Sequence, residues 1–292
     1  MIAIDWGTST FRAYRLSADG GVLDRRSAPL GIMQVEGGAF ADALEGQIGD
    51  WLTAGDTPVV MSGMIGSRQG WVEAPYANCP TGAEQIAAGM CEVRWGKHRA
   101  WIAPGLSSRD AAGVPDVMRG EETQILGVLD QLPASAWICL PGTHSKWVEV
   151  RDGTIVRFAT HMTGEVFGLL RSHSILGRMM RDGPTDLQWF AAGVRRAQDA
   201  GGVLHHLFGV RARGLFGELP DEASGSYLSG ILIGHELVSA RSAAADVFLL
   251  GAKPLVDLYQ HALRQFGREA TVLDPDAVVR GLFRLGAQLS GG

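Results

Sequence analysis

Apolar and polar positions follow one pattern twice along the chain. Residues 2–22 read IAIDWGTSTFRAYRLSADGGV and residues 137–156 read WICLPGTHSKWVEVRDGTIV. In each copy a β-branched apolar run stops at a Gly-Thr loop rich in hydroxyls. An alternating run follows, and an Asp-Gly pair (Asp19-Gly20, Asp152-Gly153) turns the chain. The pattern predicts strand, tight loop, strand, turn and strand in both places. After the first copy, residues 56–64 (DTPVVMSGM) predict a buried strand that opens into glycine-rich sequence, GMIGSRQGW. Residues 81–89 have helical composition and residues 92–102 read as strand. Residues 121–132 (EETQILGVLDQL) place Ile125, Leu126, Leu129 and Leu132 on one face of a helix that starts with acids. The turn Pro133-Ala134-Ser135 leads into the second copy, which predicts a boundary near residue 135 and domains over 1–135 and 136–292. In the second half, helices are expected within 162–180, over 224–239 with Gly230 and Gly234 as a small packing face, and over 254–266 behind Pro254. Residues 247–250 read as a strand. Strands precede helices in both halves, so the expected class is α/β with mixed sheets.

Composition narrows the partners. With 292 residues, 46% of them apolar, the chain can bury a substantial core. A net charge of -5 without blocks of like charge argues against a nucleic-acid backbone or an anionic membrane as partner. Asp5 and Arg12 break the early apolar run, and no stretch approaches a membrane span. A soluble, cytoplasmic protein with a small-molecule partner is expected, and a homodimer is compatible with the composition. The three cysteines (Cys79, Cys91, Cys139) form no C-x-x-C pair, which argues against disulfides or zinc. The histidines show no metal spacing, and the adjacent His205 and His206 read as surface residues.

The repeated loop carries the chemistry. Glycine lets successive backbone N–H groups line a concave nest able to hold phosphate oxygens, so two such loops suggest a bound nucleotide. The chain has no G-x-x-x-x-G-K-[ST] and no G-x-G, which removes the P-loop, dinucleotide-fold and protein-kinase readings. Asp5 closes a buried apolar run, where a carboxylate is costly unless it meets a cation or donors. It is the expected direct or indirect ligand of Mg²⁺.

The segments IAIDWGTST, VVMSGMIGSRQGWVEAPY, VMRGEETQILG, LPGTHSKWV, MTGE, YLSGILIGHEL and LLGAKPLVDLY, in this order, resemble the 2-dehydro-3-deoxygalactonokinases. These sugar-acid kinases belong to the actin-like, hexokinase-like ATPase superfamily. The resemblance implies two RNase-H-like domains with mixed sheets and an interdomain cleft. It also implies ATP-dependent phosphorylation, with Mg²⁺, of 2-dehydro-3-deoxy-D-galactonate to its 6-phosphate in galactonate catabolism. Related sugar kinases take the substrate proton on a carboxylate at a Gly-Asp-Gln helix start; here RGEETQ offers Glu121, with Glu122 as the alternative. For the sugar acid the resemblance points to Arg68 as carboxylate partner, Ser67 and Gln69 as donors and Trp71 as a wall. Arg119 is a rival anion contact, and Glu165 a partner for a hydroxyl. Gly7, Thr8, Ser9 and Arg12 would hold one phosphate group of ATP, and Gly142, Thr143 and His144 the other, with Lys146 ranked lower on the outer side of a strand. The adenosine would rest on Gly251, Ala252 and Lys253. The alternatives are a kinase of another sugar acid, such as 2-dehydro-3-deoxygluconate, and a nucleotide-binding or phosphohydrolase member of the superfamily that phosphorylates no sugar.

Overall fold

The first motif copy forms three strands, β1 (Ile2–Trp6), β2 (Phe11–Leu16) and β3 (Val22–Ala28). They are seen in a computed structural model that describes residues 1–52, 57–240, 246–274 and 276–289. β1 is apolar and buried almost throughout because it has neighbours on both sides, antiparallel β2 and a later parallel strand. β2 alternates, exposing Arg12 and Arg15, and β3 is a mostly exposed, charged edge. Helix α1 (Phe40–Ile48) buries Phe40, Leu44 and Ile48, one residue per turn. β4 (Val59–Ser62) is the core of the strand expected over 56–64, of which Asp56 lies outside the described residues.

β5 (Tyr76–Asn78) and α2 (Ala83–Ala88) follow. The strand material expected over 92–102 forms a hairpin of β6 (Cys91–Trp95) and β7 (His98–Ile102), turned at Gly96, whose φ is +52°. β8 (Gly105–Arg109) pairs with β5 on one side and β9 (Pro115–Met118) on the other, a small sheet that the periodicity did not reveal. Helix α3 covers only Glu121–Leu126 of the expected 121–132, and the chain then tightens into a 3₁₀ turn at Leu129–Gln131.

The second motif copy forms β10 (Ser135–Leu140), β11 (Ser145–Arg151) and β12 (Thr154–His161). It is followed by α4 (Thr163–His173), α5 (Leu187–Arg196), α6 (Gly202–Leu215) and α7 (Ser224–Ser239). β13 (Val247–Leu249), α8 (Lys253–Gln265), β14 (Ala270–Val272) and α9 (Ala277–Leu289) complete the described chain. The two large sheets share a plan. One runs β3-β2-β1-β4-β7-β6 and the other β12-β11-β10-β13-β14, so in each the motif strands sit third, second, first before parallel strands are added.

Two compact units divide the chain. The first comprises 1–135, 149–158 and 274–292, and the second 136–148 and 159–273. The C-terminal residues therefore group with the first unit, not with the expected domain 136–292. The reason is α9, whose Val278, Val279, Leu282 and Leu285 are buried, and whose Gly281 lies so close to α3 that a β-carbon there would stand 1.8 Å from Thr123 O. The core of the first unit joins Trp6, Phe11, Leu44, Ile48 and Met61 across the sheet and α1. In the second unit α5 and α7 pack through Gly230, where a β-carbon would fall 2.0 Å from Phe190 O, and Gly234, where it would fall 2.6 Å from Ala197 Cβ. Two further expectations fail by burial. His206 is fully buried, its Nδ1 3.0 Å from His235 Nε2, and Lys146 is buried with its Nζ donating to Thr160 Oγ1 at 2.7 Å.

Candidate active site

In the first unit the functional side chains gather at the carboxyl ends of β1 and β4, where ligands sit in open α/β sheets. Asp5 of β1 is in register with Ser62 of β4. Gly63, φ +93°, ends β4 in a conformation that suits glycine, and a β-carbon there would stand 2.8 Å from Trp6 O and 3.4 Å from Asp5 Oδ1. Gly120, φ +104°, comes equally close to Gly63 and delivers the start of α3 to the same place. Thr123 Oγ1 ties this corner together, 2.6 Å from Gly120 O and 3.2 Å from Ser62 Oγ.

The two acids at the start of α3 have different surroundings. Arg119 N donates to Glu121 Oε2 at 3.1 Å, and Glu121 remains partly exposed. Glu122 is fully buried; Gly120 N donates to its Oε2 at 2.7 Å, while Oε1 has no hydrogen-bond partner. Burial, and then the neighbouring Glu121 charge, push its carboxyl up to about 8. Asp5 is also raised by burial, opposed by Arg12, whose Nη1 lies 3.3 Å from Asp5 Oδ2.

Around this corner, Arg119 Nη2 donates to Ala74 O at 2.7 Å and its guanidinium stacks 4.4 Å over the Tyr76 ring. Its Nε and Nη1 are buried without hydrogen-bond partners, as is Ser67 Oγ. A β-carbon on Gly66, next to Ser67, would stand 3.0 Å from Arg119 Nη1, so the guanidinium lies against the backbone that precedes Ser67. Arg68 and Gln69 are exposed, Arg68 lying 3.6 Å from Glu73, and half-buried Trp71 packs on Trp95 at 5.7 Å.

The two Gly-Thr loops have matching supports. In the first, Thr8 and Ser9 are exposed, and the loop carbonyls Gly7 O and Thr8 O accept from Ile32 N and Met33 N at 3.0 and 3.4 Å. Gly31 is pressed so tightly against the loop that a β-carbon would lie 2.1 Å from Thr8 O. In the second, Thr143 and His144 are exposed, Glu165 N donates to Thr143 O at 3.0 Å, and a β-carbon on Gly164 would lie 2.5 Å from Gly142 O. His144 Nε2 contacts Glu165 Oε2. Gly251 lies beside the same loop, within van der Waals reach of Pro141 O, and Lys253 pairs with Asp257 at 2.8 Å. A mainly apolar cavity of about 230 Å³ opens next to it, walled by Gly142, Thr163, Phe167, Ile233, Leu255 and Tyr259.

Residues 5–285 match the family model described as 2-keto-3-deoxy-galactonokinase. The 2-dehydro-3-deoxygalactonokinase of Escherichia coli (strain K12) is 36% identical over 287 residues, covering 97% of this chain and 96% of the relative. The chain belongs to the 2-keto-3-deoxy-galactonokinase family. A crystal structure from Sinorhizobium meliloti, assigned to the same activity, superimposes with a TM-score of 0.91 at 35% identity, covering 99% of this chain and 98% of the other. The fold extends to the N-acetylglucosamine kinase of Porphyromonas gingivalis, TM-score 0.52 at 14% identity, with 97% and 98% coverage. At that identity the likeness is one of fold alone. Sequence reasoning passed over Gly31, Ser62, Gly164 and Glu236. Glu236 alone left a signal, a carboxylate inside the apolar run YLSGILIGHEL.

Proposed function

We propose that this protein transfers the γ-phosphoryl group of ATP to the terminal hydroxyl of 2-dehydro-3-deoxy-D-galactonate, giving the 6-phosphate. The observation that carries the reading is a partly exposed carboxylate, Glu121, beside buried and unsatisfied donors on Arg119 and Ser67 in a member of this family. Glu121 takes the proton of the attacking hydroxyl. Glu122 is fully buried and accepts from Gly120 N, which supports Glu121 over Glu122 as the base. Arg119 and Ser67 receive the substrate carboxylate, because buried donors left unpaired are stabilised by an anion, whereas exposed Arg68 has water and Glu73. Gln69 and Trp71 contact the rest of the sugar in the first unit, and Glu165, in the second, is a partner for a hydroxyl. Within the first unit Gly7, Thr8 and Ser9 form a phosphate-holding loop, and within the second Gly142, Thr143 and His144 form another, with Gly251, Ala252 and Lys253 taking the adenosine. Arg12, an exposed guanidinium 3.3 Å from Asp5, holds a phosphate group with the first loop.

Asp5 fits Mg²⁺, which commonly takes one or two protein carboxylates and completes its sphere with water and phosphate oxygens. It is a mostly covered carboxylate at a strand end with a single long contact to Arg12. When bound, Mg²⁺ would neutralise phosphate charge. Coupled ADP release with Mg-ATP tests the function against 2-dehydro-3-deoxygalactonate, its gluconate epimer, the parent aldonates, neutral hexoses and no sugar. Turnover that requires the galactonate derivative is expected. Equal turnover in every sample, the blank included, would contradict a sugar kinase.

A further inference from the structure

A carboxylate lies beneath the second Gly-Thr loop and is held by three donors. Glu236 of α7 is 4% exposed. Trp147 Nε1 donates to its Oε1 at 2.8 Å, Tyr259 Oη donates to its Oε2 at 2.7 Å, and Thr163 Oγ1 donates to that same oxygen. Because the one phenolic proton of Tyr259 goes to Glu236, Ser145 Oγ, 2.8 Å from Tyr259 Oη, is the donor in its own pair. A buried carboxylate on an apolar helix is costly without such donors, so the five side chains form one interdependent network.

The members of this network lie on β11, α4, α7 and α8, around the loop that β10 enters. Ser145 and Trp147 belong to β11, which leaves the loop. Thr163 is the first residue of α4 and is followed by Gly164, which presses on Gly142. Tyr259 belongs to α8, the helix that begins just after Gly251, and together with Thr163 and Gly142 it walls the adjoining cavity. Neither loop residue that faces solvent, Thr143 or His144, carries one of these donors.

We propose that Glu236 is a positioning residue for nucleotide phosphates. It locks β11, α4 and α8 around the Gly142-Thr143 loop, so that the loop is already in its phosphate-accepting shape when the nucleotide arrives. Such preorganisation raises affinity by removing the cost of ordering the loop. The inference rests on reading this loop as a phosphate site.

The test compares ADP with adenosine by calorimetry, in the parent protein and in Glu236→Gln, whose amide nitrogen would face a donor where an acceptor stood. ADP binding should weaken about tenfold, as for loss of one supporting hydrogen bond, with adenosine unchanged within about twofold. The apparent KM for ATP should rise while that for the sugar acid stays put. A purely structural role would lower Tm and the active fraction but leave the ratio of ADP to adenosine affinity unchanged, and that result overturns the proposal. Gly142→Ala is the control for the loop itself, because a β-carbon there meets no atom within 4 Å and projects into open space. If Gly142→Ala weakens ADP and Glu236→Gln does not, the loop reading stands and the role of Glu236 falls. If neither changes ADP affinity, the loop reading falls and takes the proposal with it. Should Glu236→Gln fail to fold, Tyr259→Phe keeps the ring and removes one donor, and must show the same split between ADP and adenosine.

Discussion

The two motif copies share a backbone frame and treat charge in opposite ways. In both, a glycine three residues beyond the third strand presses on the Gly-Thr loop, and the next residue donates its N–H to a loop carbonyl, Ile32 N to Gly7 O and Glu165 N to Thr143 O. The first copy, however, carries Asp5 next to the end of its central strand, and Gly120, at the start of α3 with Glu121 and Glu122, comes close to Gly63 at the end of β4. The second ends its central strand with Cys139 and Leu140, both buried, and its buried carboxylates are occupied by donors, Glu236 on α7 by Trp147 and Tyr259 and Glu149 on β11 by Arg157. On the proposed roles, the duplicated frame serves to hold phosphate, while proton transfer draws on a carboxylate that stands with the first copy. The difference separates binding from chemistry along the sequence.

The largest effect should come from breaking that asymmetry at Glu121. Glu121→Gln should lower kcat by roughly 10²–10⁴-fold, the range for a lost acid–base group, with ATP affinity intact. Next, Arg119→Met should raise the apparent KM for the sugar acid by about 10–100-fold, as for loss of hydrogen bonds to a charged group, and leave that for ATP alone. Arg68→Ala should have a smaller effect, and the reverse order would make the exposed arginine the carboxylate's partner. The shared frame predicts that Gly31→Ala and Gly164→Ala behave alike. Each forces a methyl into backbone, with an expected loss of about 1–3 kcal/mol in denaturant titration and a raised KM for ATP. A neutral Gly31→Ala would break the equivalence of the two loops.

The smallest effect concerns Glu122. Its carboxyl is raised from 4.5 to about 8 by burial, so the folded state prefers the protonated form. The stability this contributes is complete below pH 4.5 and is lost as pH rises through 8. Glu122→Gln should flatten that decline in Tm. An unchanged slope would mean that Glu122 does not titrate in this range.

Much of this frame was legible in the sequence because β-branched runs, Gly-Thr loops and Asp-Gly turns are local signals. Both motif copies form the expected strands, and Gly230 and Gly234 pack as expected. What stayed hidden depends on distant contacts. Helix α9 returns to α3 because Gly281 and Gly127 permit close approach across 154 positions, which no window of sequence records. The hairpin of β6 and β7 reads as one run because its turn, Trp95-Gly96-Lys97-His98, contains a single glycine. His206 and Lys146 look like surface residues by type, yet each gains an internal partner, His235 and Thr160, from another element. Glu121 and Glu122 are chemically identical neighbours in sequence, and only burial tells them apart.

The division between binding and chemistry is tested most directly by measuring ADP affinity and single-turnover phosphoryl transfer on the same samples of Glu121→Gln and Gly142→Ala. The account predicts that Glu121→Gln binds ADP like the parent protein and transfers slowly even at saturating ATP. Gly142→Ala should bind ADP weakly and recover transfer as ATP is raised. The opposite pairing, with lost ADP affinity in Glu121→Gln and lost transfer at saturating ATP in Gly142→Ala, would contradict it.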